Sequence, residues 1–194
     1  MKFAIFFGGI GIILLSIAIL FDVNYLNYGS PMSYSQWQKI NFYDFRALKK
    51  PGMTLNGVAE FAYIKTNRKI HYYNNGNIEI TTYFHPARSY VFASDIRNPD
   101  LLNHELYHFH ISEYCTRLLR KKIFEMRDNI TSKIIVDLNN KYYQVEYEMQ
   151  KKYDEESYHS YVMQEQKKWE TKIDSMLYSL RVFSDPLVRI GTKE

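Results

Sequence analysis

The chain of 194 residues has little of the chemistry that marks a disulfide scaffold or a nucleic-acid-binding protein. Cys115 is its single cysteine, so an intrachain disulfide is excluded, and the partner thiols that a zinc–thiolate site needs are missing. We therefore interpret Cys115 as a small core residue. The net charge is only +4, and basic residues alternate with acidic ones, which is typical of solvated helix faces and excludes a basic nucleic-acid groove.

Charge is absent altogether from residues 3–21, "FAIFFGGIGIILLSIAILF", which follow Lys2. About 20 apolar residues are enough to span a bilayer as a helix, so this run predicts an N-terminal transmembrane helix that acts as a signal-anchor. The alternative is a signal peptide cleaved near Ala18. Both interpretations predict an extracytoplasmic location in the periplasm or cell envelope, either anchored to the inner membrane by residues 3–21 or secreted if the segment is cleaved.

The composition divides the remaining chain into three parts. Residues 22–38 are polar and aromatic, and this composition indicates a linker after the N-terminal segment 1–21. We expect residues 39–182 to form one folded domain and residues 183–194 to form a C-terminal tail. Strand-like runs come first in the domain and helical patterns follow, which predicts an α+β fold with a small antiparallel β-sheet before a helical half.

Local signals place several elements within that fold. Residues 56–94 contain the strand-like runs, and Asn74–Asn75–Gly76–Asn77 between two of them predicts a hairpin. Asn98, as a cap, and Pro99, in the first turn, predict the start of a helix. Thr131 is the predicted cap of a second helix. A third helix is predicted after the second one.

The first predicted helix carries His104, Glu105 and His108 in the pattern His-Glu-X-X-His. Residues four apart lie on one face of a helix, so the two imidazoles can share a metal ion, and imidazole is a favoured zinc ligand. Glu105 lies about 100° round the helix from His104, where it flanks the metal without binding it. A carboxylate in that position can move a proton from an activated water to a leaving amine, as in metalloproteases with this motif. The competing interpretation is a solvated helix that is rich in His and Glu by chance.

A zinc site of this kind needs a third protein ligand, and helix geometry disfavours the other candidates on the same helix. Glu113 lies nine residues after His104, which is about 900° and therefore half a turn out of phase, and His110 is about 120° out of phase. His159 is the best candidate, because antiparallel packing of consecutive helices brings the junction before the third helix back against the first. The alternatives that stay open, as ligands or as residues that orient an imidazole, are the nearby acids Asp154, Glu155 and Glu156.

Two segments far apart in the chain carry a family resemblance. One is the helix "LLNHELYHFHISEYCTRLLR", and the other contains Tyr153, Asp154, Glu156, His159, Gln166 and Trp169. Shorter matches lie in "NFYDFRALKKP" and in Ser89–Tyr90–Val91. On these motifs, the chain resembles the DUF922 family of predicted secreted bacterial zinc-dependent proteases from about residue 39 to residue 180. The resemblance implies a zincin-like domain with His104, Glu105 and His108 in the metal site, while His110 and Ser160 stand where the family usually has Asp and Gly.

The sequence thus predicts a membrane-anchored or secreted zinc metallopeptidase that hydrolyses a peptide or protein substrate. Zn²⁺ is the predicted cofactor, with His104, His108 and His159 as ligands and Glu105 as general base. The alternative function is a non-catalytic, metal-containing cell-envelope protein that binds a partner. The predicted contacts include the membrane through residues 3–21 but no nucleic acid, and no oligomeric state is predicted.

Overall fold

A computed structural model describes residues 14–17, 29–47, 61–92 and 94–190. The strands within these residues are β1 (Met32–Ser33), β2 (Ala62–Tyr63), β3 (Thr66–Tyr72), β4 (Ile78–Phe84), β5 (Tyr90–Val91) and β6 (Leu187–Val188). The long helices are α1 (Pro99–Glu125), α2 (Ser132–Ser157) and α3 (Met163–Ser179). The architecture is α+β with a small antiparallel sheet, as the order of sequence patterns predicts.

Strand β4 is the centre of the larger sheet. On one side it pairs along its whole length with β3, and on the other side it pairs with β1 at its C-terminal end and with β6 at its N-terminal end. All these pairings are antiparallel. Side chains alternate across a strand, and every second residue of β4, beginning at Ile78, is almost fully buried: Ile78, Ile80, Thr82 and Phe84. This face of β4 packs on α1.

The predicted hairpin joins β3 to β4. Gly76 has a φ of 82°, which a glycine adopts at little cost, and its amide donates to the Tyr73 carbonyl at 3.0 Å. The strand-like runs do not all join one antiparallel sheet, because β2 and β5 pair with each other in a separate two-stranded sheet. Residues 56–60 of the predicted strand region lie outside the described residues.

Segments on both sides of the predicted domain take part in the fold. The part of the predicted linker that is described includes β1 and a short 3-10 helix, Tyr34–Lys39, and Met32, Tyr34 and Trp37 pack against buried core residues. The part of the predicted tail that is described includes β6, which pairs with β4.

The helices begin where the capping residues predict. Asn98 Oδ1 accepts hydrogen bonds from the amides of Asp100 and Leu101, each at 3.1 Å, and Pro99 occupies the first turn. Thr131 Oγ1 accepts from the amide of Ile134 at 3.3 Å. Both caps satisfy amides that have no partner inside the helix.

Helix α1 contributes to all three hydrophobic clusters of the described residues. Leu106 and Phe109 join a cluster near β4, Leu119 and Ile123 pack with β4 and β6, and Ile111 packs against α2 and α3. The helix is therefore enclosed by the sheet on one side and by α2 and α3 on the other. Because its polar side chains are buried too, each of them needs a defined partner, and the candidate site is built from these partners.

The described residues contradict the prediction of an N-terminal transmembrane or signal-anchor helix. None of the helices in the described residues is both long and apolar enough to cross a membrane, since the long ones carry charged side chains throughout. Of the predicted segment 3–21, only residues 14–17 are described, as a short helical piece, and the rest lies outside the described residues. The extracytoplasmic location stays a prediction.

Candidate metal centre

Helix α1 brings two imidazoles together as the spacing of four residues predicts. The Nε2 atoms of His104 and His108 lie 3.2 Å apart, and the rings meet edge to face with their centroids 4.8 Å apart. His104 is 2% exposed, and His108 is more accessible. Both rings thus direct one nitrogen to the same point beside α1.

Asp154, near the end of α2, supplies a third atom at that point. Its Oδ1 lies 3.2 Å from His104 Nε2 and 2.9 Å from His108 Nε2. Helices α1 and α2 are joined by a short connection, and the end of α2 consequently lies beside the start of α1. His104, His108 and Asp154 form a group that could hold a metal ion, the metal group, with all three ligand atoms within 4.8 Å of one another.

Two neighbours on α2 hold the imidazoles in this orientation. The Gln150 side-chain carbonyl is hydrogen-bonded to Nδ1 of His108, and the same amide donates to the His108 carbonyl at 2.9 Å. If a metal ion replaced the proton on Nε2 of His108, this hydrogen bond would keep the remaining proton on Nδ1 and direct the Nε2 lone pair towards the group. The Tyr153 ring stacks on His104 at 4.6 Å with an angle of 21° and meets the edge of His108 at 5.1 Å.

The electrostatics of the group favour a cation among the three atoms. Burial, with His108 nearby, lowers the pKa of His104 to about 4, although Asp154 opposes the change. Burial also acts to lower the pKa of His108, but the Asp154 carboxylate outweighs it and raises that pKa to about 9. The two imidazoles in turn hold the pKa of Asp154 well below its usual range against the effect of burial. A negative carboxylate and two imidazole nitrogens therefore converge on one point.

Glu105 lies beside this group, where the motif places it. It is 4% exposed, and its Oε2 accepts a hydrogen bond from the Ile64 amide, just after β2, at 2.8 Å. Its negative charge also acts on His108, whose pKa it helps to raise. The backbone of one strand end therefore fixes the orientation of the Glu105 carboxylate next to the metal group.

His159 lies next to the group without being one of its three atoms. Its Nδ1 is 3.8 Å from Asp154 Oδ1, and a quarter of its side chain is exposed. The turn that carries it is unusual, because Tyr158, His159 and Ser160 all have positive φ, at 50°, 50° and 71°. The structure thus brings His104, His108 and Asp154 together and places His159 next to Asp154.

Glu113, which helix phase disfavours, and the two acids next to Asp154 have partners outside the group. Glu113 is 1% exposed and accepts from Arg117 Nε at 2.9 Å and from Arg120 at 2.8 Å, on the side of α1 that helix phase predicts. Glu155 pairs with Lys151 at 3.6 Å, and Glu156 accepts from the indole of Trp169 at 2.6 Å.

Sequence reasoning missed Gln150 and the packing role of Tyr153. A signal for Gln150 exists, because it lies one helical turn before Asp154 and must share its face of α2. Nothing in the spacing of Tyr153 distinguishes it from the other tyrosines of the same helix.

No family model, curated protein or solved structure matches this chain. The resemblance to the DUF922 family stays a prediction, and the geometry of the site is the basis for any functional conclusion.

Proposed function

We propose that the chain is a zinc-dependent metallopeptidase, in which His104, His108 and Asp154 bind the metal ion and Glu105 is the general base. The observation that carries the proposal is the nearly equilateral triangle of donor atoms, with sides of 3.2, 3.2 and 2.9 Å. Zinc–nitrogen and zinc–oxygen bonds of about 2.0–2.1 Å in a tetrahedron place the ligand atoms roughly 3.3 Å apart. The triangle fits zinc closely, and three protein ligands leave the fourth position open, as in catalytic sites.

A bound zinc ion would supply Lewis acidity and make water acidic enough to attack at neutral pH. The chain's own residues would do the rest. Glu105, held by the Ile64 amide, would take the proton of the attacking water and deliver it to the leaving amine. Gln150 would keep His108 in the tautomer that binds through Nε2, and Tyr153 would exclude water from the inner side of His104.

The test compares purified wild-type protein with Glu105→Gln, using metal analysis and a library of internally quenched peptides. We expect equimolar zinc in both proteins, peptide cleavage by the wild type, and a loss of at least about 100-fold in kcat/KM for the variant, since the base is removed while the ligands remain. Glu125→Gln is a matched control, because Glu125 is an exposed carboxylate at the far end of the same helix.

Each other outcome contradicts a definite part of the proposal. Absence of bound zinc would contradict the metal centre. Bound zinc without cleavage of any peptide would favour the alternative of a non-catalytic, metal-containing binding protein. Full activity of Glu105→Gln would contradict the assignment of the base.

A further inference from the structure

Two segments of the chain lie beside the metal group. The end of β2 reaches it through the hydrogen bond from the Ile64 amide to Glu105. The turn after α2 reaches it through His159, which lies 3.8 Å from Asp154. The two segments also meet each other, because the rings of Phe61 and Tyr161 are 6.0 Å apart.

Exposed aromatic side chains project from both segments. Tyr158 is 55% exposed and Tyr161 is 60% exposed, and their rings lie 6.2 Å apart. Tyr63 is 39% exposed and stacks on Tyr90 at 5.8 Å. Tyrosine rings have a large apolar surface with a polar tip, which is the composition typical of surfaces that bind peptide side chains.

The backbone of the turn holds these rings outward. Positive φ is unfavourable for side chains other than glycine, yet three consecutive residues, Tyr158 to Ser160, adopt it. Hydrogen bonds from the amides of His159 to Asp154, of Tyr161 to Tyr158 and of Val162 to Ser157 keep the turn in this form. Strained backbone that its surroundings enforce is common where a protein contacts a ligand.

On this basis, and resting on the proposed function, we propose that Tyr158, Tyr161 and Tyr63 line a substrate cleft and determine its specificity. The occupant is an extended peptide with a large aromatic or aliphatic side chain next to the bond that is cleaved. The rings of the turn at 158–161 contact that side chain, while Tyr63 contacts the peptide from the β2 side. Peptides with small side chains at the same position gain no such contact.

The test uses two internally quenched peptides that differ only in phenylalanine or alanine beside the cleaved bond. We expect the wild type to prefer the phenylalanine peptide, and Tyr161→Ser and Tyr158→Ser each to lower kcat/KM for it by roughly three- to tenfold, as the loss of one aromatic contact predicts. The alanine peptide should be cleaved equally by all variants. Tyr178→Ser is the matched control, since Tyr178 is 67% exposed at the other end of α3.

Binding of the same two peptide sequences, each labelled with a single fluorophore and no quencher, to the Glu105→Gln protein separates this inference from the proposed hydrolysis, with fluorescence polarisation as the measurement. Tighter binding of the phenylalanine peptide, lost when Tyr161→Ser is added, would support the cleft even if the wild type cleaved neither peptide. Equal binding of both peptides, or a preference that survives both tyrosine substitutions, would overturn the inference whatever the wild-type activity.

Discussion

At the scale of single residues, burial decides the chemistry of the only thiol. Cys115 lies on α1 with no exposed surface, and burial, with a smaller effect of Glu146, raises the pKa of the thiol to about 12 against the opposing effect of Arg68. A thiolate is the reactive form, so almost none is present at neutral pH. The sequence predicts Cys115 as a core residue because the chain has no second cysteine to pair with it or to share a metal ion.

We therefore expect native protein at pH 8 to resist iodoacetamide, and protein in denaturant to be alkylated completely. Mass spectrometry of the two samples measures the difference. Rapid alkylation of the native protein would show that Cys115 is accessible and would contradict its position in the core.

The third ligand is also decided by single residues, and the sequence alone does not identify it. Helix phase separates Glu113 from the metal group, and the structure places Glu113 with two arginines on the other side of α1. Phase cannot choose between Asp154 and His159, because the choice depends on where α2 ends. The helix continues through Ser157, so Asp154 keeps its helical direction towards α1, and the left-handed turn then sets His159 beside it.

At the scale of elements, the signals that act within a few residues predict structure well, and those that depend on distant partners do not. The hairpin before β4 and the caps Asn98 and Thr131 are local and are present as predicted. The separate β2–β5 sheet and the addition of β1 and β6 to β4 depend on residues far apart in the chain. Nothing in the two-residue strands themselves identifies these partners.

The turn after α2 gives a prediction at this scale. Ser160 has a φ of 71°, which glycine adopts without a steric penalty, so Ser160→Gly should raise the free energy of unfolding by up to about 1 kcal/mol after the entropy cost of glycine. Urea denaturation measures the change. Ser175→Gly, within α3 and exposed, should instead lower it by about 0.5 kcal/mol. A loss of stability in Ser160→Gly as large as in the control would contradict the strained turn.

At the scale of the whole molecule, Arg120 connects the sheet, α1 and the segment after α3. Its side chain is 3% exposed, and the guanidinium donates to the Ile80 carbonyl at 2.9 and 2.6 Å, to the Phe183 carbonyl at 2.9 Å and to Glu113 at 2.8 Å. Removing one member of a buried pair leaves an uncompensated charge. This network holds α1, which carries His104 and His108, against the sheet.

Arg120→Ala should therefore lower the free energy of unfolding by about 3–5 kcal/mol. Arg127→Ala, at an exposed position just after α1, should change it by less than about 0.5 kcal/mol. Urea denaturation of the two variants measures both changes. Similar stabilities would show that the buried network contributes little.

The central claim is that one metal ion binds among His104, His108 and Asp154. The most direct measurement is anomalous diffraction at the zinc edge from crystals grown with equimolar zinc. We predict a strong peak within about 2.0–2.2 Å of His104 Nε2, His108 Nε2 and an Asp154 carboxylate oxygen. A peak coordinated by His159 in place of Asp154 would contradict the assigned third ligand, and the absence of a peak beside His104 and His108 would contradict the metal centre itself.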